Sequence, residues 1–283
     1  MCEIKNIATD LIRDTVARLC TEANYYLGGD VIKSLEKYRE EEASLTGRDI
    51  LQQLLTNAGI AAEDQVPICQ DTGFAVVFLE LGQEVRIEGG SLYEAVNEGV
   101  RKGYTEGYLR KSIVGHPLKR VNTGDNTPAV IHLSLVPGDN LRIVVAPKGG
   151  GSENMSAIKM LKPSEGLEGI KKFVLDTVRS AGPNPCPPLV VGVGIGGTFE
   201  KCALLAKEAL IRELGSPNPL PDLAELEKEL LREVNALGIG PQGLGGSTTA
   251  MAVHIEIHPC HIASLPVAVN LNCHAARHKE AVI

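Results

Sequence analysis

The spacing of apolar residues changes about a quarter of the way along this 283-residue chain, and that change constrains the fold most strongly. In the first part, apolar side chains recur at intervals of three and four, which is typical of amphipathic helices. Three helices are predicted here, over residues 4–25, 30–43 and 48–58. Asp30 is the expected cap of the second helix, and Gly59 is expected to end the third. The segment 1–60 is therefore predicted to be helical.

After this segment, short β-prone apolar runs alternate with helical patterns. Strands are predicted at 74–81, 129–135, 141–146, 189–195, 250–257 and 265–271. Helices are predicted at 91–109, 166–180, 198–214 and 222–236, with loops at 110–128 and 148–154. No internal repeat and no long linker interrupts this order. We therefore expect a mixed α/β (α+β) fold, in which the helical N-terminal segment precedes a mixed-sheet domain with flanking helices, and residues 1–283 form a single domain.

The composition excludes several classes of partner. The net charge of −7 argues against a nucleic-acid backbone as the main partner. The longest stretches without charged residues, 181–199 and 234–253, are broken by Gly and Pro, so no membrane span is expected. The N-terminus lacks the apolar segment of a secretion signal, and an odd count of seven cysteines suits a reducing compartment. These features predict a cytoplasmic protein.

Two glycine-rich loops invite a comparison with nucleotide-binding motifs. Gly192, Gly194 and Gly197 match G-x-G-x-x-G after a strand, but the acidic strand end expected about 20 residues later is missing. We therefore interpret these glycines as a close strand-to-helix contact. The second loop, 148–154, offers Lys148 and successive backbone N–H groups as an anion cradle. The charged loop 110–128 can be interpreted either as a second anion site or as a solvated surface.

The cysteines divide into two groups by their surroundings. Cys20 and Cys202 lie within helical patterns and are interpreted as small core residues, and Cys2 is terminal. The other four lie at boundaries between elements: Cys69, Cys186, Cys260 and Cys273. Because no C-x-x-C pair exists, a structural zinc site is disfavoured, and well-separated cysteines suit a metal or cluster that the fold assembles.

Five of the seven histidines are concentrated between residues 254 and 278. They are His254, His258, His261, His274 and His278. From their spacing alone, a zinc or iron site remains open, as does the simpler interpretation that His254 and His258 are partly exposed strand residues.

Several longer motifs occur together and in a fixed order. They are CQDTG (69–73), NTGDNTPAVIH (122–132), KGGGSEN (148–154), CPPLVVGVGIGGTFEKC (186–202) and GPQGLGGSTTAMAVHIEIHPCHIASLPVAVNLNCHAAR (241–277). In these motifs the chain resembles the class I, iron–sulfur-dependent fumarate hydratases. The resemblance is to the α subunit of the two-subunit form and to the related L(+)-tartrate dehydratase α subunit.

The resemblance implies a [4Fe–4S] cluster held by Cys69, Cys186 and Cys273, with one iron left open as a Lewis acid for the reversible hydration of fumarate to (S)-malate. It also implies that the chain binds a small dicarboxylate. The substrate-binding residues would be Gln70, Asp71, Arg110, the backbone of Gly151, and His261. Of these, Asp71 and His261 would also be catalytic. Asp71 would orient the reacting hydroxyl or water, and His261 would bond the carboxylate or hydroxyl, so that Cys260 beside it is not a ligand.

The resemblance further implies partners. A separate β subunit would supply a threonine base, arginine and lysine clamps for the carboxylates, and a cap over the cluster, because the single-chain enzymes continue where this chain ends. Pairing between α chains is also expected. Two other functions remain open: an L(+)-tartrate dehydratase α subunit, and a non-catalytic assembly subunit that binds zinc through its late cysteines and histidines.

Overall fold

The computed structural model describes residues 4–283, which form two compact units. Among the described residues, the first unit comprises residues 4–27, Ala58–Gly150 and Arg277–Ile283, and the second comprises Gly28–Asn57 and Gly151–Ala276. Cys2, interpreted above as terminal, lies outside the described residues. The expectation of a single domain stays a prediction.

The mixed α/β fold class predicted from the sequence is confirmed. The main helices are α1 (Thr9–Tyr25), α2 (Gly29–Glu41), α3 (Leu45–Asp64), α4 (Leu92–Glu106), α5 (Gly150–Glu153), α6 (Gly166–Ala181), α7 (Phe199–Ala209) and α8 (Pro221–Asn235). The strands are β1 (Lys5–Ala8), β2 (Phe74–Gly82), β3 (Val85–Glu88), β4 (Val130–Val136), β5 (Leu141–Lys148), β6 (Ala157–Leu161), β7 (Leu189–Gly196), β8 (Ala250–His258), β9 (Leu265–Asn272) and β10 (Lys279–Val282). Within residues 4–283, no helix has both the length and the apolar character needed to cross a bilayer.

The first unit is built on a four-stranded sheet in the order β10-β5-β2-β4. Strand β2 pairs antiparallel with β5 and parallel with β4. Helices α1 and α4 pack together and share one apolar core with β2 and β5. Their close approach requires Gly99 and Gly103, since a Cβ at either position would lie 2.6 Å from the carbonyl oxygen of Arg13 or Ala17.

The second unit is built on a four-stranded sheet in the order β6-β9-β7-β8. Strand β9 is antiparallel to both of its neighbours, whereas β7 and β8 are parallel. Helices α6 and α8 share an apolar core with one face of this sheet, and α7 packs on the other face. A Cβ at Gly192 or Gly194 would lie 2.1 Å from a carbonyl oxygen of α7. This contact confirms the strand-to-helix packing inferred for these glycines.

Three boundaries in the N-terminal prediction are wrong, each for a local reason. Residues 5–8 form a strand rather than the start of a helix, because they pair with β3 and bury Ile7. Asp30 is not the cap of α2; Gly28 holds that position, and the Asp30 carboxylate accepts the backbone N–H of Leu214. Helix α3 continues past Gly59 because its buried positions continue to Ala61, and packing can outweigh the helix cost of one glycine, about 1 kcal/mol.

The end of α3 illustrates a different stop signal from the predicted one. Gln65 follows the helix with a φ of 53°, and the N–H of Val66 bonds to the carbonyl of Ala61 at 3.1 Å. This 6→1 bond is the pattern of a Schellman motif, which usually has glycine at the left-handed position. Helix α7 is also shorter than predicted, because bonds such as Arg212 N to Ala209 O tighten the chain after Ala209.

Glu42 is a fully buried carboxylate that holds the loop before β8. It accepts the N–H of Ser44 at 2.9 Å, of Ser247 at 2.8 Å and of Thr248 at 2.8 Å. Burial opposes its ionisation, but these hydrogen bonds outweigh burial and lower the pKa of Glu42 to about 2. Because the pKa falls from 4.5 on folding, the stabilisation is complete above pH 4.5 and is lost as the pH falls towards 2.

Replacing Glu42 by Gln is therefore expected to reduce the free energy of unfolding at pH 7 by about 2–3 kcal/mol, because an amide cannot accept all of these N–H groups. Chemical denaturation of the wild-type chain and of Glu42→Gln between pH 7 and pH 2 measures the difference. The difference should shrink below pH 4.5, where Glu42 begins to be protonated in the unfolded chain. The exposed neighbour provides the control, Glu41→Gln, which should change little. A loss of equal size at pH 7 and near pH 2 would show that packing, not charge, is responsible.

Candidate functional site

The turn Cys69–Gly73, directly before β2, is fixed through the Asp71 carboxylate. One carboxylate oxygen accepts the N–H of Gly73 at 3.0 Å, and the other accepts the N–H of Gly150 at 2.8 Å. The backbone N–H of Asp71 points at the Cys69 sulfur, 3.4 Å away. Gly73 is required because its φ is +69° and a Cβ there would lie 2.6 Å from the backbone of Lys148. The sequence therefore builds a rigid turn with a thiol and a carboxylate at its surface.

Three buried side chains hold the backbone of this turn from beneath. The Tyr104 hydroxyl lies 2.9 Å from Thr72 O and 3.1 Å from Gly73 O, and the Asn126 amide donates to Gly73 O at 3.3 Å. Arg277 donates from Nη2 to Asp71 O at 2.5 Å. Burial raises the pKa of Tyr104 above its ordinary value, so its hydroxyl stays a donor at all ordinary pH values. Tyr104 and Arg277 were not singled out from the sequence. Asn126 belongs to the charged loop 110–128, which the sequence analysis considered as an anion site and not as a support for this turn.

Two residues predicted to bind substrate are exposed beside this turn. The Gln70 amide oxygen accepts the Cys69 thiol at 3.4 Å, and the rest of the side chain is exposed. Arg110 is also exposed, and its carbonyl accepts the buried Thr72 hydroxyl at 3.0 Å. The first unit therefore brings Cys69, Gln70, Asp71 and Arg110 to one place.

The loops of Cys186 and Cys273 meet at one end of the sheet in the second unit. Cys186 precedes β7 and Cys273 follows β9, and these antiparallel strands pair Val190 with Asn272. The N–H of His274 bonds to Cys186 O at 3.2 Å. Sequence reasoning missed Gln242, whose side-chain amide joins the two loops: it donates to Pro187 O at 2.8 Å and lies 3.1 Å from His274 Nδ1.

The backbone of these loops is constrained and the thiols are accessible. Cys186 has a φ of +55°, an uncommon conformation for a residue with a Cβ, and prolines flank it on both sides. Gly151 lies at the same end of the sheet, where a Cβ built on it would be 3.5 Å from Asn184 O. Cys186 is exposed and Cys69 and Cys273 are half-buried. An accessible thiol can form the thiolate that binds metal, which a buried one cannot easily do.

The other described cysteines differ from one another in burial, and the two that the sequence predicted to be core residues are buried. Cys20 and Cys202 are completely buried, which confirms their interpretation as small core residues. Burial raises the pKa of Cys20 to about 12 and also raises that of Cys202. Cys260 is exposed, and its thiol donates to Ser264 O at 3.3 Å.

His261 lies at the opposite end of the second unit's sheet from Cys186 and Cys273. It is in the connection between β8 and β9, where its Nδ1 accepts the N–H of Ala263 at 3.1 Å. The eight residues of β9 lie between this connection and Cys273, and the seven steps from Leu265 to Asn272 span about 23 Å at 3.3 Å per residue. The structure does not bring His261 together with these two cysteines within one chain.

The remaining histidines do not form a shared ion site. The interpretation of His254 as a partly exposed strand residue is wrong, because this residue is buried. Its Nδ1 lies 3.1 Å from Ala209 O on α7, and burial lowers its pKa. His258 is exposed as expected. Across residues 4–283, no group of three or more His, Cys, Asp or Glu side chains is arranged to hold a single metal ion. A [4Fe–4S] cluster does not need that arrangement, because its thiolates bind different irons.

Polar residues of the loop 110–128 are largely used to fold the loop. The Asn122 side chain donates to Lys111 O at 3.0 Å and accepts the N–H of Gly124 at 2.7 Å. Asp125 pairs with Arg101 at 2.9 Å; burial opposes its ionisation, but hydrogen bonds from Thr127 and Arg101 outweigh burial and lower its pKa to about 2. These contacts favour the surface-loop interpretation for this part of the segment.

Comparison with known proteins agrees with the motifs. Residues 13–282 match the model of the fumarate hydratase (Fumerase) family, and the chain belongs to that family. A relative from Methanocaldococcus jannaschii, named as a putative L(+)-tartrate dehydratase subunit alpha, is 47% identical over 272 residues, covering 94% of this chain and 95% of its own. L(+)-tartrate dehydratase subunit alpha from Escherichia coli K12 and from Shigella sonnei is in each case 35% identical over 277 residues, covering 96% of this chain and 91% of the relative.

Proposed function

We propose that this chain is the α subunit of an iron–sulfur-dependent hydro-lyase that reversibly hydrates fumarate to (S)-malate in the cytoplasm. The observation that carries the proposal is the placement of the thiols in a chain of this family. Cys69 is fixed in a rigid turn of the first unit, and Cys186 and Cys273 are on two loops joined at the end of the second unit's sheet. The sequence analysis expected the ligands to be cysteines at boundaries between elements, and these three cysteines lie at such boundaries.

The donor set fits a [4Fe–4S] cluster. Among the described residues, three of the four accessible cysteines, Cys69, Cys186 and Cys273, suit a cluster with three thiolate ligands and one open iron. The two buried cysteines do not compete, and Cys260 lies in the connection between β8 and β9, at the opposite end of the sheet from Cys186 and Cys273. When bound, the cluster supplies a Lewis acid at the iron that lacks a cysteine ligand. The buried cation Arg277, which contacts the turn of Cys69, suits a site that holds an anionic group.

The chain's own residues then act on the substrate. Asp71 is held by two backbone N–H groups at fixed positions, so its carboxylate can orient the hydroxyl or water that reacts without moving itself. The exposed Arg110 guanidinium and Gln70 amide beside it are suited to bind a carboxylate, arginine by a two-point contact. The backbone N–H of Gly151 is proposed to bind a substrate carboxylate.

The position of His261 leads to a proposal about assembly. Strand β9, about 23 Å long, lies between His261 and Cys273 and places them at opposite ends of the sheet, which argues against His261 serving the cluster held by its own chain. We therefore propose that a second copy of the chain supplies His261 to the site. The expected pairing between α chains would then be required for catalysis. Each site would then be shared between two copies.

A separate β subunit completes the proposed enzyme. The relatives quoted above are each named as an alpha subunit, which supports a partner of a second kind. We propose that this β subunit supplies the base and the arginine and lysine clamps for the substrate carboxylates.

L-tartrate is a second candidate substrate, and the names of the relatives, which are tartrate dehydratases, support it. L-tartrate carries one hydroxyl more than malate, so a site for it must offer one further polar partner. Steady-state kinetics of the anaerobically reconstituted αβ complex with fumarate, (S)-malate and L-tartrate separate the two candidates. We expect kcat/KM for fumarate and malate to exceed that for L-tartrate by at least about tenfold. The reverse order would assign the chain to tartrate, and no activity with any of the three would overturn the proposed function.

A further inference from the structure

Arg277 is a buried cation with hydrogen-bond donors left over. Arg277 is only 5% exposed, and its Nη2 donates to Asp71 O at 2.5 Å. Its Nε and Nη1 atoms are buried, and no acceptor within residues 4–283 bonds to either of them. Buried charged donors are almost always satisfied, so two such atoms on one guanidinium require an explanation.

The polar groups around Arg277 are already engaged elsewhere. The Asp71 carboxylate is occupied by the N–H groups of Gly73 and Gly150 and makes no ion pair with Arg277. The Tyr104 hydroxyl lies against the carbonyls of Thr72 and Gly73. The described chain therefore places a full positive charge beneath the Cys69 turn without a counter-ion of its own.

The burial of Arg277 indicates which kind of anion its guanidinium group binds. A substrate carboxylate must enter and leave at each turnover, and a side chain at 5% exposure offers it no open path. A group that stays bound between turnovers fits better. Arg277 contacts the backbone of Asp71, two residues after Cys69, and it follows Cys273 by four residues in the sequence. One proposed cluster ligand is therefore near Arg277 in the fold, and another is near it along the chain.

We infer that the remaining N–H donors of Arg277 are completed by sulfur atoms of the iron–sulfur cluster, which makes Arg277 a positioning residue that also sets the cluster's reduction potential. This inference rests on the proposed function, because it needs the cluster. Hydrogen bonds and positive charge near cluster sulfurs favour the reduced, more negative state and so raise the potential. Arg277 would then link the turn that carries Asp71 to the electronic state of the cluster.

The test is a redox titration of the anaerobically reconstituted αβ complex, in which electron paramagnetic resonance measures the amount of reduced cluster at each potential. In Arg277→Met, the ratio of reduced to oxidised cluster at a fixed potential should fall by at least about tenfold, which is a shift of about 59 mV for a one-electron couple. Arg277→Lys keeps the charge but cannot bond to Asp71 O and to sulfur at once, so it should show a smaller fall of about threefold. The exposed Arg86→Met removes the same charge from the surface and should leave the ratio unchanged.

Two further measurements accompany the titration: the iron and sulfide content of each reconstituted complex, and the thermal unfolding of each apo-protein. If Arg277→Met does not fold, Arg277→Lys carries the test by itself, and an unchanged potential in that folded variant overturns the inference. Wild-type potential in both variants, with wild-type cluster content, overturns it also and leaves the proposed function intact. A wild-type chain that takes up no cluster would overturn the proposed function and this inference together.

Discussion

Replacing Cys186 by Ser is expected to abolish cluster binding and to reduce activity of the αβ complex to below about a thousandth of the wild-type value, because the Lewis acid is lost with the cluster. Cys186 is exposed and its backbone is constrained, so the substitution should not disturb packing. The same result is expected for Cys69→Ser and Cys273→Ser. Iron and sulfide per chain, together with the sulfide-to-iron absorption after anaerobic reconstitution, measure the effect.

The buried cysteines supply matched controls, since the chemical change is the same. Cys202→Ser and Cys20→Ser place a hydroxyl in an apolar site and are expected to cost about 1–3 kcal/mol of stability while the cluster remains. Cys260→Ser tests the exposed cysteine that we do not assign as a ligand, and it should keep both cluster and stability. A full cluster in Cys186→Ser would show that the ligand assignment is wrong, whatever happens to activity.

The sequence predicted the elements whose signal is local and long. The predictions of a strand at 74–81 and a helix at 166–180 agree with the structure to within a residue or two, because the strand begins with a continuous apolar run and the helix carries an apolar period over its buried face. The burial of Cys20 and Cys202 followed from the same period. Strands β1, β3, β6 and β10 have four or five residues each and were missed, because so short a segment shows no period and depends on its partner strand.

The candidate site was predicted only where its residues stand at element boundaries. Cys69, Cys186 and Cys273 could be selected in that way, and the resemblance then assigned their role. The side chains that hold the Cys69 turn could not be selected, since Tyr104 looks like any core aromatic and Arg277 is 206 residues away from the carbonyl that it binds. Such partners become visible only when the topology brings distant segments together.

The location of His261 shows the same limit in another form. Along the chain, His261 and Cys273 are close neighbours, and nothing in their spacing places them at opposite ends of a sheet. The register of β9 with β7 and β6 determines this, because a fully paired strand of eight residues must be extended. The proposal that two copies share each site arises from that pairing, and it predicts an unusual result for mixtures of inactive variants.

A mixture of His261→Ala and Cys273→Ser chains is expected to regain activity that neither variant has alone. If the histidine acts on the partner copy, a dimer of one chain of each kind contains one complete site, made of the cysteines of the first variant and the histidine of the second. Equal random pairing puts half of the dimers in this mixed form, and each has one of its two sites complete. The mixture should therefore reach about one quarter of wild-type activity.

The two variants can be produced together with different affinity tags and with the β subunit, so that doubly tagged complexes are isolated and assayed. These complexes should show about half of the wild-type activity per dimer, with half of the wild-type iron content, since only one chain keeps all three cysteines. The double variant His261→Ala/Cys273→Ser, paired with a wild-type chain, has the same composition but brings both defects on one chain. With sites shared between copies, that complex should have no complete site and no activity, whereas sites contained within one chain would leave it half active and leave the mixed complex inactive. The two complexes thus give opposite outcomes for the two arrangements, and an inactive mixed complex beside a half-active control would refute the sharing of His261.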